Sequence, residues 1–233
     1  MYHPFFKRIV KYVLKKAFRI ISVSEFNKKE IENIFENDKT QVIYNSVDEA
    51  FFKSSRQKKD IVLSVAVIDD YLRINLKGLD TFIKSSKLLT DTKFVIVGIH
   101  GKALKKIKNK FPLNVSLIGF IKKDELLSYY QKAKVYCQLS YYESCGVSLE
   151  EAMSCECVPV VTDKGALPEI VGKSGYYVEY GDLDKTINAI KKALKDNTSG
   201  ASARKRIIEN FSIKTREKKL VEVIIDSFNS FHY

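Results

Sequence analysis

The sequence predicts an α/β fold built on a doubly wound parallel sheet, and three observations carry that expectation. Short β-rich runs at 61–67, 93–98, 114–119, 135–139, 158–161 and 176–178 alternate with helix-length segments. The first run, Ile61-Val62-Leu63-Ser64-Val65-Ala66-Val67, is almost continuously apolar, as expected of a strand covered on both faces. With 233 residues, 45% hydrophobic and 29% charged, the chain has the composition of a globular protein large enough to bury a core.

Taken in order, residues 5–17 read as a helix with Lys7, Arg8, Lys11, Lys15 and Arg19 on one side and Phe6, Ile9, Val10, Val13, Ala17 and Ile20 on the other. Such a basic amphipathic helix suits either an anionic membrane surface or packing on a sheet. A strand at 20–24 follows, then a helix over 25–35 capped by Ser24. A second strand at 41–44 ends in Asn45-Ser46-Val47-Asp48, and the polar, lysine-rich stretch 53–60 reads as a connection. Beyond the strand at 61–67 come a polar loop at 69–76, a helix at 78–88, a strand at 93–98 and a lysine-rich helix at 102–110. Helices at 124–133, 182–195, 201–210 and 213–231, and a short turn or helix at 167–171, complete the pattern. In such sheets ligands bind beyond the carboxyl ends of the strands, so the loops at 67–77, 98–101, 119–121, 140–147 and 162–168 should share one rim.

The most informative stretch is Tyr141-Tyr142-Glu143-Ser144-Cys145-Gly146-Val147-Ser148-Leu149-Glu150-Glu151-Ala152-Met153. It reads as a strand end, a tight turn at Gly146 and a helix whose Val147, Leu149, Ala152 and Met153 bury one face. The amino end of that helix offers unpaired N–H groups and the positive end of the macrodipole, both suited to a phosphate. Glu143 and Glu151 flank the turn. A phosphate would repel both carboxylates, so they should aim past it at neutral donors such as vicinal sugar hydroxyls. By spacing alone, a solvated acidic helix start, which the dipole favours anyway, fits at least as well. Arg73 and Lys77, in the first loop and at the next helix start, read either as exposed cations or as partners of an anion held at 146–148.

Glu143, seven intervening residues and Glu151-Ala152-Met153 together resemble the signature of retaining glycosyltransferases of the GT-B fold, the large family 4 (group 1) type. The resemblance runs from about residue 20 to 211. It implies a Rossmann-like donor lobe at 61–211, a remnant of an acceptor lobe at 1–52, a linker at 53–60 and a C-terminal helix at 212–233 packing back on the N-terminal segment. It also implies that Glu143 lies near the donor sugar, that Glu151 binds the ribose, and that the amides of Cys145, Gly146, Val147 and Ser148 hold the diphosphate. Lys77-Gly78 resembles the family's diphosphate-binding Lys-Gly pair. Gly119-Phe120-Ile121 resembles the turn whose backbone meets the nucleotide base, which leaves UDP and GDP both open. Residues 165–171 resemble a Gly-x-Pro-Glu-Ile-Val segment expected to shape the pocket. Two departures stand out: Ala66-Val67 occupies the place of the family's Gly-Arg, which makes Arg73 the candidate substitute, and Cys145 replaces a common Phe. The acceptor-lobe His has no match, and His3 is not in that position.

The implied function is transfer of a sugar from a nucleotide-sugar, with retention, to an unidentified acceptor, lipid-linked or polysaccharide. Retaining members are thought to use the leaving phosphate as the base, so no cofactor and no metal are expected. A net charge of +12 suits an anionic partner. Nucleic acid is not expected, because the tyrosines and phenylalanines fall mostly at core positions instead of interleaving with a basic face. Cys137, Cys145, Cys155 and Cys157 have no zinc spacing and read as free thiols. No apolar run is long enough to span a bilayer and no signal-peptide pattern opens the chain. The expected location is therefore cytoplasmic, with peripheral membrane contact through residues 5–20. An incomplete acceptor lobe would expose apolar surface and favour homo- or hetero-oligomers. A non-catalytic nucleotide-sugar-binding subunit, or a fragment needing a separate acceptor lobe, is the alternative.

Overall fold

In the computed structural model, which describes residues 4–55, 57–70, 72–107 and 111–230, the chain opens with helix α1 (Pro4–Lys16). Strand β1 (Ile20–Ser22), helix α2 (Glu25–Ile34) and strand β2 (Thr40–Val42) follow as a small βαβ unit whose two strands pair in parallel. Ser24 caps α2, accepting the Asn27 N–H at 3.0 Å. Val10, Leu14 and Ala17 of the first segment are half-buried, whereas Ile9, Tyr12 and Val13 remain exposed. His3 lies outside the described residues.

The main sheet contains β3 (Lys59–Ile68), β4 (Lys93–Ile99), β5 (Val115–Ile118), β6 (Ala133–Gln138), β7 (Val158–Thr162) and β8 (Tyr176–Val178). All six are parallel, in the order β5-β4-β3-β6-β7-β8. Successive side chains along each strand enter opposite cores. Val62, Phe94, Ile96, Val135 and Cys137 pack with the helices α4 (Leu79–Leu88) and α9 (Leu183–Lys195). Leu63, Val95, Val97 and Tyr136 pack instead with α6 (Lys123–Lys132), α7 (Val147–Ser154) and α10 (Ser199–Asn210). Apolar residues on both faces thus explain the continuous runs, and the parallel doubly wound expectation holds. Strand order reverses between β3 and β6, so their carboxyl ends open a crevice at a topological switch point.

The segment expected as a polar loop at 69–76 contains a short helix, α3 (Leu72–Leu76). Asp70 accepts the Leu72 N–H at 3.1 Å and Ile74 is buried in the core, a local and a tertiary contact that together outweigh the segment's polar ends. The helix expected over 102–110 is α5 (Gly101–Ile107), and residues 108–110 lie outside the described set, as does residue 231 of the last expected helix. Helix α8 (Leu167–Val171) follows β7, and α11 (Ile213–Ser230) ends the described chain. The Arg216 guanidinium of α11 donates to the carbonyls of Ile43 and Tyr44 and to Asn45 Oδ1, and Val47 bridges Ser212. All four cysteines are free, with Cys145 half-buried and the others buried.

Candidate active site

At the switch point lies a cleft of about 390 Å³, walled by the ends of β3 and β6, by Arg73 and Lys77, and by Glu143 and the turn from Cys145 to Ser148. The corner between α3 and α4 sets one wall. Gly78 there has φ +67°, and a Cβ on it would stand 1.9 Å from the Leu139 carbonyl oxygen. Only glycine lets this corner lie flush against the end of β6. The Tyr141 N–H, bonded to the Leu76 carbonyl at 2.9 Å, fastens the same junction and aims Lys77 across the crevice.

The opposite wall is the loop after β6. Gly165 has φ +60° and approaches so closely that its Cβ would fall 2.1 Å from the Glu143 carbonyl oxygen, which also accepts the Ala166 N–H at 2.8 Å. Held from behind in this way, Glu143 turns its side chain inward. Glu143 Oε2 accepts from Lys77 Nζ at 2.8 Å, Gln138 Nε2 at 2.9 Å and Ser140 Oγ at 3.2 Å. The carboxylate therefore meets an ammonium as well as two neutral donors. Three donors, one from the α3–α4 corner and two from the carboxyl end of β6, converge where the walls are partly dry, and an ion pair gains there. Gln138 and Ser140 escaped the sequence reading, although their position at the carboxyl end of β6 marks them as rim residues.

Helix α7 begins at the cleft floor, with Leu149, Ala152 and Met153 fully buried. Gly146 precedes it at φ −130°, outside the left-handed region, and a Cβ there would come within 2.9 Å of Ile170 Cδ1, the movable tip of a side chain. Glu150 N–H bonds the Gly146 carbonyl, so the amides just before it are the unsatisfied first-turn donors that favour an anion. Cys145, Gly146, Val147 and Ser148 all line the cleft. Glu151 sits one turn beyond Ser148 on the same helix face and accepts the Tyr130 hydroxyl at 2.9 Å. Burial raises the Glu151 pKa against the lowering effects of that hydroxyl and of Lys123.

Arg73 lines the cleft but is exposed and pairs with Asp69 at 3.8 Å. Ala66 and Val67 form the adjacent wall. Gly119, Phe120 and Ile121 follow β5, on the same rim but outside the cleft lining. The Gly119 carbonyl accepts the Gly98 N–H at 3.2 Å, and Phe120 projects into solvent beside His100. The sheet puts β4 between β5 and the crevice, which is why these three residues stand apart. His100 turns Nδ1 to the Gly98 carbonyl at 3.0 Å. A hollow of similar size, about 400 Å³, lies along α11, but its walls come from that helix alone and no groups converge in it.

A family model described as "Glycosyl transferases group 1" matches residues 46–212, more than half of the chain. Among curated relatives, the O-antigen chain mannosyltransferase RfbU of Salmonella typhimurium is 25% identical over 80% of this chain and 54% of its own length. The N-acetyl-alpha-D-glucosaminyl L-malate synthase of Bacillus anthracis is 25% identical over 94% of this chain and 61% of its own length. The chain thus spans only part of these relatives. Among solved structures, the sucrose-phosphate synthase of Thermosynechococcus elongatus superposes with a TM-score of 0.87 at 20% identity, covering 98% of this chain and 63% of that one. Anabaena Alr3699/HepE in complex with UDP-glucose superposes with a TM-score of 0.82 at 17% identity, covering 97% and 68%. At these identities the likeness establishes a shared fold.

Proposed function

The chain belongs to the group 1 glycosyl transferases, and on that premise we propose that it forms the donor side of a retaining glycosyltransferase of the family 4 type, which takes its sugar from a nucleotide-sugar. The observation that carries this is the Lys77–Glu143 pair facing the amino end of α7 across the switch-point cleft. A diphosphate there meets an ammonium and a helix mouth, and the charge that grows on it as the sugar departs is stabilised by both. As the phosphate engages Lys77, the Glu143 carboxylate becomes free to accept from sugar hydroxyls, while Glu151 accepts from the ribose. A structural neighbour bound to UDP-glucose supports a donor of this class. With retention, the leaving phosphate serves as the base for the acceptor hydroxyl.

The proposed acceptor is lipid-linked or a polysaccharide, and this chain, which spans 54% and 61% of two matched relatives, would act with a separate acceptor lobe. Among the described residues no helix is long and apolar enough to cross a membrane. Helix α1, whose charged residues are all basic, is proposed as a peripheral contact with an anionic membrane face on the cytoplasmic side. Pelleting with anionic but not neutral vesicles is expected, and equal pelleting with both would end that idea.

The central test is a thermal-shift titration with UDP- and GDP-sugars. Binding at one hundred times Kd stabilises the folded state by about 2.7 kcal/mol, so the true donor should raise Tm in the wild type and much less in Lys77→Ala or Glu151→Ala. Arg73→Ala should also weaken nucleoside diphosphate binding; unchanged affinity would remove Arg73 from the site. Shifts of equal size in wild type, Lys77→Ala and Glu151→Ala would refute the donor assignment. Release of free nucleoside diphosphate over time separates transfer or donor hydrolysis from simple binding.

A further inference from the structure

Glu169 lies in the segment expected only to shape the pocket, yet its carboxylate reaches out of α8 to the N-terminal unit. Oε1 accepts the Phe26 N–H at 2.7 Å, while Oε2 accepts the Glu25 N–H at 2.8 Å and the Tyr44 hydroxyl at 3.0 Å. Glu25 and Phe26 begin α2, so this is a bidentate, charge-assisted cap on a helix start, made by a residue more than a hundred positions away. Arg206 fixes the base of the cap, donating Nε to the Ile170 carbonyl and an Nη to the Glu169 carbonyl, both at 2.6 Å.

The same helix start touches the cleft. Ser24, which caps α2 from within, donates its hydroxyl to the Ser144 carbonyl at 2.8 Å. Ser144 directly follows Glu143, and the Glu143 carbonyl is held from the other side by Ala166, three residues before Glu169. The amino end of α2 is therefore tied to the cleft loop by Ser24 and to α8 by Glu169, with the Glu143 backbone between the two ties. Without the Glu169 cap, α2 would still be tied to the cleft loop by Ser24 and by the Tyr142 hydroxyl, which donates to Glu30, so a shift of α2 would be passed on to Ser144.

We propose that Glu169 is a positioning residue: by clamping the start of α2 it holds the Ser24–Ser144 contact and so sets Glu143 against Lys77 in the cleft. The consequence for donor binding rests on the nucleotide-sugar reading of that cleft. A clamp that acts on Glu143 should affect recognition of the sugar more than that of the diphosphate, which Lys77 and the α7 amides hold.

The test compares wild type, Glu169→Gln, Glu169→Ala and Ser24→Ala, with Lys28→Ala as a surface control on α2. Hydrogen exchange is read at the Glu25 and Phe26 amides and at the Tyr141 amide, which reports whether the cleft loop stays docked on Leu76. Calorimetry reads UDP-glucose against UDP, with a GDP-sugar and GDP as a second pair. Glu169→Ala should speed exchange at all three amides roughly tenfold and weaken the sugar nucleotide roughly tenfold, with the bare nucleotide changing less than about twofold. Glu169→Gln keeps one acceptor oxygen and should fall between. Ser24→Ala should reproduce the Tyr141 and sugar-nucleotide effects, and Lys28→Ala should show neither. Should Glu169→Ala fail to fold, the Gln and Ser24→Ala variants carry the test. Faster exchange at Glu25 and Phe26 with unchanged Tyr141 exchange and an unchanged ratio of sugar-nucleotide to nucleotide affinity overturns the proposal and leaves Glu169 a cap only. If the wild type binds none of the four nucleotides, the donor reading falls by itself, and exchange at Tyr141 still decides whether the clamp acts on the loop.

Discussion

Glu150 precedes Glu151 on α7 but points into the protein, where it is 1% exposed and its Oε2 has no hydrogen-bond partner among the described residues. Burial, and secondarily the Glu151 carboxylate, push its pKa from 4.5 up to about 7, although Arg216 draws it down. Holding the carboxyl at about 7 instead of 4.5 corresponds to about 3 kcal/mol. The folded state holds a proton that the unfolded chain has released, so stability falls as pH rises. The contribution is fully present below about pH 4.5 and is lost as pH climbs through about 7. Glu150→Gln keeps the shape and removes the charge. Urea denaturation of wild type and variant at intervals from pH 5 to 8 gives the difference in unfolding free energy, in which other titrations largely cancel. The two proteins should be close in stability at pH 5, and the variant should gain on the wild type by up to about 3 kcal/mol at pH 8. A difference that stays flat across that range would show that Glu150 does not carry a displaced proton, and the account of its burial would be wrong.

Gly165→Ala forces a side chain into a backbone at φ +60° and against the Glu143 carbonyl. It should cost about 1–3 kcal/mol in urea denaturation and weaken donor binding together with it; wild-type stability would contradict the close approach. Tyr130→Phe removes the hydroxyl that helps hold Glu151 ionised. The Glu151 pKa should rise further, so donor affinity should suffer more at pH 6 than at pH 8, and a loss independent of pH would argue against an ionised Glu151 as the acceptor of ribose hydroxyls.

How far local sequence reaches is shown by three places. Ile61 to Val67 announced a strand covered on both faces because hydrophobicity along seven residues is enough to do so. Lys77-Gly78 drew attention through a dipeptide, and the left-handed Gly78 against Leu139 now supplies the reason for the glycine. At Leu72–Leu76 the polar flanks misled, because the burial of Ile74 that stabilises the short helix is a tertiary contact.

From its order of residues alone the chain determined its alternating strands and helices, the rim on which the loops meet, and the Glu143 to Glu151 spacing across a helix start. These depend on periodicity and turn chemistry within windows of a few residues. Folding in three dimensions decided what each charge faces. Glu143 binds Lys77 from 66 positions away, Glu169 caps a helix start from 144, and of the neighbours Glu150 and Glu151 one lies buried while the other accepts from Tyr130. Two adjacent residues on a helix point about 100° apart, so the surroundings that separate them exist only once the sheet and its flanking helices have packed.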